Sequence, residues 1–385
     1  MRQEPRQRRR RPLLLSALGN RPCLLHTSRP AVSLPKASPS VPPPPAVLTA
    51  AATRLRRTLL EWYDRAKRTL PWRATPGVAA DPWAVLVSEI MLQQTTVATV
   101  QARFDPFLAR FPTPAAMAEA ALDDVLHAWQ GLGYYRRARG LHACARTIVH
   151  GHAGQVPDES EALAKLPGIG PYTAAAVAAI AFGQQVVPVD GNVARVLARL
   201  IAHDRPLSAT KAELWPYAAA LAGGDRPGDL AQALMELGAL VCTPRQPACG
   251  ICPWAFACRA RAEGRATALP VKVAKRSRPE RRAVAMLIRD DRGRLCLRRR
   301  PEDGLLGGLI ELPAVDPGEL PPGDWQALPG TVRHVFTHFS LETTVVTGRP
   351  VEALGDAFFH PADRLHELAL PTLTRKLLRH AGVAA

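Results

Sequence analysis

Apolar residues recur at helical spacing from about Val47 to Ala266, in alanine-rich segments broken by short punctuation such as Phe111-Pro112-Thr113-Pro114 and Gly131-Leu132-Gly133. One segment, PWAVLVSEIMLQQT, opens with Asp81 as a cap and Pro82 in the first turn. On a wheel at about 100° per residue, Glu89 falls between Val85 and Leu86, with Ile90 and Met91 adjoining. A carboxylate so placed is partly desolvated and holds its proton toward neutrality, which suits a general acid. The same pattern also fits a helix that turns Glu89 to solvent or into an ion pair.

The stretch Leu166 to Val196 carries a Gly168-Ile169-Gly170 hairpin followed by PYTAAAVAAIAF, a helix opened by Pro171. Gly168 and Gly170 can take positive φ and let a foreign backbone come close, while the unpaired N–H groups of the next helix start point outward together. That arrangement is an anion site. Asp190-Gly191-Asn192 then precedes a second amphipathic run, Val193, Val196, Leu197 and Leu200, so another carboxylate stands at a helix start.

Beyond a basic linker, 267–282, the period changes to that of strands. AVAMLIRD, the turn Asp291-Arg292-Gly293 and RLCLRRR predict a hairpin. GLIELPAV and Val332–Thr347 predict further strands, and LTRKLLRHAG a closing helix.

Composition then narrows the partners. The 385 residues carry a formal net charge of +17, and no apolar run approaches membrane-spanning length. Residues 1–46 hold nine Lys and Arg against one acid, Glu4, together with ten prolines, and read as a disordered tail. They also fit a mitochondrial transit peptide or an over-long start. The remainder still carries +9, which favours a polyanion. Seven cysteines, four of them within seventeen residues, favour a metal centre in a reducing compartment over disulfides.

Those four, Cys242, Cys249, Cys252 and Cys258, have the spacing C-x6-C-x2-C-x5-C, with Arg245, Arg259 and Arg261 nearby. Spacing leaves zinc and an iron–sulfur cluster both open. Cys23, Cys144 and Cys296 read as free thiols. GLGYYRRAR, from Gly131, mixes a flexible turn, aromatic rings and three arginines, as contact with phosphates and bases requires.

Together these motifs, with LPWR from Leu70, SEIMLQQTTVATV from Ser88, VDGNVARVLAR from Val189 and VRHVFTHF from Val332, resemble those of the helix-hairpin-helix DNA glycosylases that carry an iron–sulfur cluster. Within that group the chain is similar to the MutY-type adenine DNA glycosylases, over about residues 55 to 385. The resemblance implies a helical helix-hairpin-helix glycosylase region, 47–266, with a cluster loop at 242–258. An α+β Nudix-like, MutT-like domain for mispair recognition follows at 283–385.

By that resemblance Glu89 protonates a ring nitrogen of a flipped-out adenine and Asp190 stabilises the oxocarbenium-like sugar, one acid neutral and one ionised. Tyr172 and Asn192 support them. Leu70, Trp72, Arg73 and Gln232 match positions around the adenine pocket. Gln94, Thr95, Leu132 and Tyr134 match the intercalation site and the orphaned 8-oxoguanine.

In endonuclease III-type relatives, which also cleave the strand, the residue two after the hairpin glycine is a Schiff-base lysine. Here it is Tyr172, which implies base removal without a dedicated lyase nucleophile. Phe336-Thr337-His338 lies on the loop that checks the opposite base, where the family more often has Phe-Ser-His. A Nudix box needs an Arg-Glu-x-x-Glu-Glu run. After Gly308 only Glu311 is present before Pro317, Pro321 and Pro322, so pyrophosphate hydrolysis is not expected.

The resemblance further implies one [4Fe-4S] cluster on the four cysteines and a monomer acting on double-stranded DNA with adenine opposite 8-oxoguanine or guanine. DNA affinity should fall with salt. The short linker points to a bacterial cytoplasmic, nucleoid-associated protein, with a mitochondrial one as the alternative. An endonuclease III-type glycosylase/lyase and a non-catalytic DNA-binding relative are the competing readings. Tyr172 opposes the first, and the presence of both acids the second.

Overall fold

The computed structural model describes residues 46–75, 77–273 and 277–384. The tail expected at 1–46 lies outside them together with Cys23, except for Ala46, which opens the first helix.

The first region is helical throughout. In chain order it holds α1 (Ala46–Ala66), α2 (Pro82–Met91), α3 (Val97–Arg110), α4 (Pro114–Glu119), α5 (Leu122–Ala128), α6 (Arg136–Gly151), α7 (Ser160–Leu163) and α8 (Pro171–Phe182). It continues through α9 (Gly191–Leu200), α10 (Leu207–Thr210), α11 (Trp215–Leu221), α12 (Pro227–Leu240) and α13 (Arg259–Ala262). Asp81 caps α2 as its sequence predicts, accepting from the Trp83 N–H at 2.9 Å.

Helix α8 is apolar on every side, and a helix of that kind has to be enclosed. Its small alanines let α2 and α12 pack closely on it. A Cβ on Gly228 of α12 would stand only 2.9 Å from the Ala179 carbonyl oxygen. Two cores flank this central rod. One gathers Leu86, Phe104, Trp129 and Leu141 from α2, α3, α6 and the segment after α5. The other gathers Leu55, Leu197, Leu234 and Trp254 from α1, α9, α12 and the cysteine loop. Glu89 therefore belongs to the first half and Asp190 to the second, with the start of α8 between them.

The second region holds β1 (Glu280–Leu287), β2 (Leu295–Arg299), β3 (Ile310–Glu311), β4 (Ala314–Val315), β5 (Gly323–Ala327), β6 (Val332–Val335), β7 (Ser340–Pro350) and β8 (Phe358–His360), closed by α14 (Thr372–His380). The strand order is β4-β1-β7-β5 with β6 also on β7, beside a second sheet β3-β2-β8. Strand β1 runs parallel to β7 in register Glu280↔Ser340 through Leu287↔Thr347.

This corrects the expected hairpin. The chain turns at 290–293, but β1 and β2 part after a single bridge, Arg289↔Leu295, because β1 takes β7 and β4 as neighbours while β2 takes β3 and β8. The interval read as a linker is also partly structured. Leu269 is 2% exposed and its carbonyl accepts from Arg199 Nε at 2.9 Å, while β1 already begins at Glu280.

The two regions share a boundary. Leu309 and Ala369 join the first core, Arg299 grips Asp123 through both terminal nitrogens at 2.8 and 2.6 Å, and Gln130 donates to the Leu368 carbonyl at 2.7 Å.

Candidate active site and cysteine loop

Glu89 is 5% exposed, and α2 delivers it to the start of α8, where Tyr172 Oη donates to Oε2 at 2.5 Å. Burial pushes its pKa up to about 7, opposed by the tyrosine hydrogen bond and reinforced by the charge of Asp190. Glu89 thus faces the interior, as its helical spacing allows, neither turned to solvent nor ion-paired among the described residues.

Asp190 is the N-cap of α9. Its Oδ1 accepts from the Val193 N–H at 2.6 Å and its Oδ2 from Asn192 Nδ2 at 3.0 Å. Capping does not exhaust the carboxylate, since each oxygen has two lone pairs. Burial raises its pKa as well, while the Val193 and Asn192 donors and the charge of Lys211 pull it down. Asp190 was expected simply to stay ionised. Burial works against that, and the Val193 and Asn192 donors with Lys211 counter it.

Asn192 is pinned by Gly238 of α12, where a Cβ would meet the Asn192 Cβ at 2.6 Å. Gly238→Ala is therefore expected to push Asn192 away, detach Asp190 Oδ2 from its donor and slow turnover about tenfold or more through misplacement. Single-turnover rates beside an unchanged far-UV spectrum check this. Arg195 locks the same corner, donating to Asn192 Oδ1 at 2.8 Å, to the Gly238 carbonyl at 2.7 Å and to the Cys242 carbonyl at 2.8 Å.

The pocket residues read from LPWR sit in a charged brace. Arg73 Nη1 contacts Glu236 Oε1 at 3.0 Å and Arg68 Nη2 contacts Oε2 at 2.6 Å, with Glu236 only 1% exposed. Burial alone would raise the Glu236 pKa, but these donors and the Arg68 N–H bring it down to about 2. Leu70 is buried, Trp72 packs edge-on against Phe104 at 5.7 Å, and Gln232 lies one turn before Glu236, bonding back to the Gly228 carbonyl. Glu236 was not legible in the sequence, because an acid inside an otherwise apolar helix carries no partner label. Lys211 and Arg195 were missed too, because the groups they act on lie elsewhere in the chain.

Gly168 has φ +78°, but Gly170 does not share it, with φ −96° in extended backbone as the N-cap of α8. This corrects the reading of both glycines. The backbone that Gly168 admits is the chain's own, since a Cβ there would stand 3.2 Å from Gly140 Cα on α6. Gly170 faces open space, leaving the α8 start free for an anion.

Of the residues expected to meet the opposite base, Gln94 and Tyr134 both adopt positive φ, 58° and 48°, which non-glycine residues hold only at some cost. Gln94 is exposed and Thr95 half-buried, its Oγ1 donating to the Leu132 carbonyl at 3.3 Å. Tyr134, 47% exposed, meets Thr337 oxygen to oxygen at 2.9 Å, joining the two regions at the expected loop. Phe336 packs edge-on against His334 and at a tilt against Phe339, leaving Thr337 and His338 exposed.

Leu132 is the exception. Its side chain is 4% exposed in the core, so only its carbonyl serves this surface. Of the three arginines in the same motif only Arg136 is exposed. Arg137 and Arg139 turn inward, Arg139 against Gly308.

Cys242, Cys249, Cys252 and Cys258 line one cavity with Arg199 and Arg261. Burial raises the Cys252 thiol to about 11, with further repulsion from the other three. Arg199, almost fully buried, bonds to the carbonyls of Leu269, Thr243 and Pro244 and to Cys242 Sγ at 3.2 Å. A buried guanidinium whose partners are carbonyls and sulfur fits an anionic thiolate-held cluster beside it. Arg245, Arg259 and Arg261 are exposed on the same segment.

Glu311 is held by Arg298 at 2.9 Å and Arg300 at 2.5 Å. With this carboxylate neutralised, no magnesium-dependent hydrolysis of nucleoside triphosphates is expected, as a phosphate-release assay can check.

Three family models match: the HhH-GPD superfamily base excision DNA repair protein over 87–217, the iron-sulfur binding domain of endonuclease III over 242–258, and the NUDIX domain over 284–380. The four cysteines thus belong to an iron–sulfur binding segment. The chain is 36% identical to the adenine DNA glycosylase of Homo sapiens, over 86% of this chain and 74% of that one. It is 50% identical to that of Mycobacterium tuberculosis, over 51% of this chain and 64% of that one. A thermostable thymine-DNA glycosylase structure matches at 30% identity and TM-score 0.50, over 55% of this chain and 99% of that one. Similarity this long runs through the helical region, the cysteine segment and the strand region alike: the chain belongs to the adenine DNA glycosylase family.

Proposed function

We propose that this protein hydrolyses the N-glycosidic bond of adenine lying opposite 8-oxoguanine or guanine in duplex DNA, without cutting the strand. The observation that carries the reading is the pair of acids across the start of α8. Glu89, its pKa raised to about 7, is protonated in about half of the molecules at neutral pH and can pass that proton to a ring nitrogen of the extruded base. Asp190, held by the Val193 N–H and Asn192, faces the positive charge that develops on the sugar as the bond breaks. Tyr172 fixes Glu89 and occupies the place where a lyase would need an amine. Leu70, Trp72, Arg73 and Gln232 bound the adenine pocket. Gln94, Thr95, Tyr134 and the Phe336-Thr337-His338 loop read the opposite base.

Cys242, Cys249, Cys252 and Cys258 would hold a [4Fe-4S] cluster. Bound there, it supplies a rigid anionic centre that fixes the loop, so that Arg245, Arg259 and Arg261 meet DNA phosphates. We further propose a monomer in the bacterial cytoplasm. No helix among the described residues is long and apolar enough to cross a membrane.

The test is single-turnover base release from duplexes with adenine opposite 8-oxoguanine, guanine and thymine, with and without alkali, plus borohydride trapping. Adenine release from the first two, with strand breaks only after alkali, is expected. No release from either, or an efficient covalent adduct through the Tyr172 site, overturns the proposal.

A further inference from the structure

Arg137 performs a task that neither the acids nor the opposite-base loop explains. Its guanidinium is half-buried, and its terminal nitrogens hold three segments at once. Nη1 donates to the carbonyls of Ile90 at 2.7 Å and Met91 at 2.8 Å, at the end of α2 directly after Glu89. Nη2 donates to Thr95 Oγ1 at 2.9 Å and to the carbonyls of Leu132 at 3.0 Å and Gly133 at 3.1 Å. The guanidinium also lies 5.7 Å from the Tyr134 ring and 5.4 Å from the Trp129 ring.

Each of the two loops it joins carries a non-glycine residue at positive φ, Gln94 in one and Tyr134 in the other. Residues kept in such conformations need their surroundings to over-determine them. Here the over-determining group is one planar fork. A second link returns to the acid, since Gln93 Nε2 donates to Thr173 Oγ1 at 3.2 Å and Thr173 follows Tyr172, the partner of Glu89. At the other end Tyr134 meets Thr337 of the second region.

We infer that Arg137 is the positioning residue that transmits the identity of the opposite base, sensed at Tyr134 and Thr337, to the placement of Glu89. A base that fits the Tyr134–Thr337 pair leaves the Gly131–Tyr134 loop where the fork can hold it and the end of α2 together. One that displaces Tyr134 pulls on the same guanidinium and shifts the α2 terminus, taking Glu89 out of line with the adenine. Lysine cannot substitute, because its donors radiate from one atom and cannot span both loops. The inference rests on the proposed activity and adds to it a physical route for selectivity.

The test is a double-mutant cycle of Arg137→Lys and Thr337→Ala, read as the ratio of single-turnover rates on adenine opposite 8-oxoguanine and opposite guanine, with thermal melts alongside. The wild type must first release adenine. If it does not, the proposed activity fails and this inference with it.

Given that release, Thr337→Ala alone should lower the ratio by roughly five- to 150-fold. In the Arg137→Lys background it should change it less than about twofold, since interacting residues are non-additive. Equal fold effects of Thr337→Ala in both backgrounds, or Arg137→Lys slowing both substrates alike, would show a purely structural role and overturn the inference. Should Arg137→Lys fail to fold, Thr95→Val takes its place. It removes one Nη2 acceptor at near-constant volume, and the same pattern of non-additivity decides.

Discussion

Glu89→Gln should lower the single-turnover rate of adenine release by about 10²–10⁴-fold while the protein still binds its duplex. Glutamine keeps the shape and still accepts from Tyr172, but has no proton to give. The same substitution carries a stability signature of opposite sign. In the folded wild type the Glu89 pKa is raised from 4.5 to about 7 by burial. The folded state therefore favours the neutral acid, whose contribution is fully present below about pH 4.5 and is lost as pH rises through about 7. Wild type should thus weaken relative to Glu89→Gln across that window by on the order of 2–3 kcal/mol, while the variant loses its rate. Denaturant melts at pH 4.5 and pH 8 measure the difference. A variant that loses both stability and rate at every pH would mean Glu89 is a packing residue.

Glu236→Ala should produce the largest loss of stability, about 3–5 kcal/mol. Glu236 is 1% exposed and neutralises both Arg68 and Arg73, so its removal leaves two guanidinium groups without their carboxylate, Arg73 keeping only the Arg68 carbonyl at 2.6 Å. Arg73 also lies 5.6 Å from the Tyr63 ring, and the brace ties the LPWR segment to α12. The proposed adenine pocket should loosen together with the fold. Because the Glu236 pKa is depressed to about 2, this stabilisation is present above about pH 4.5 and is lost as pH falls through about 2. Urea unfolding at pH 7 reads the loss. A shift under 1 kcal/mol would show that water reaches the pair.

Periodicity carried much of this in the sequence itself. Glu89 among Val85, Leu86, Ile90 and Met91 pointed toward burial, but the same spacing also allowed a solvent-facing or ion-paired side chain, and only the packing of α2 on α8 decides between them. Asp190 at a helix start was legible for a similar local reason. What stayed hidden depended on contacts distant in sequence. Glu236 meets Arg68 across 168 positions, and Arg195 needs Gly238 and Cys242 to show why it matters.

The β1–β2 interval misled because turn residues and alternation specify a chain reversal but not which sheet each strand joins. Leu132 misled because a motif does not say which of its atoms faces outward: its carbonyl serves the surface while its side chain fills the core. Gly170 likewise had the freedom to take positive φ without needing it.

The central claim is that a buried, neutral Glu89 held by Tyr172 delivers the proton. The pH dependence of single-turnover adenine release from an adenine–8-oxoguanine duplex, for wild type and Tyr172→Phe between pH 5 and 9, tests it most directly. The wild-type rate should fall as pH rises through about 7. Since the tyrosine hydrogen bond favours the carboxylate form, Tyr172→Phe should move that fall to higher pH. A rate independent of pH, or a fall displaced to lower pH in the variant, would contradict it.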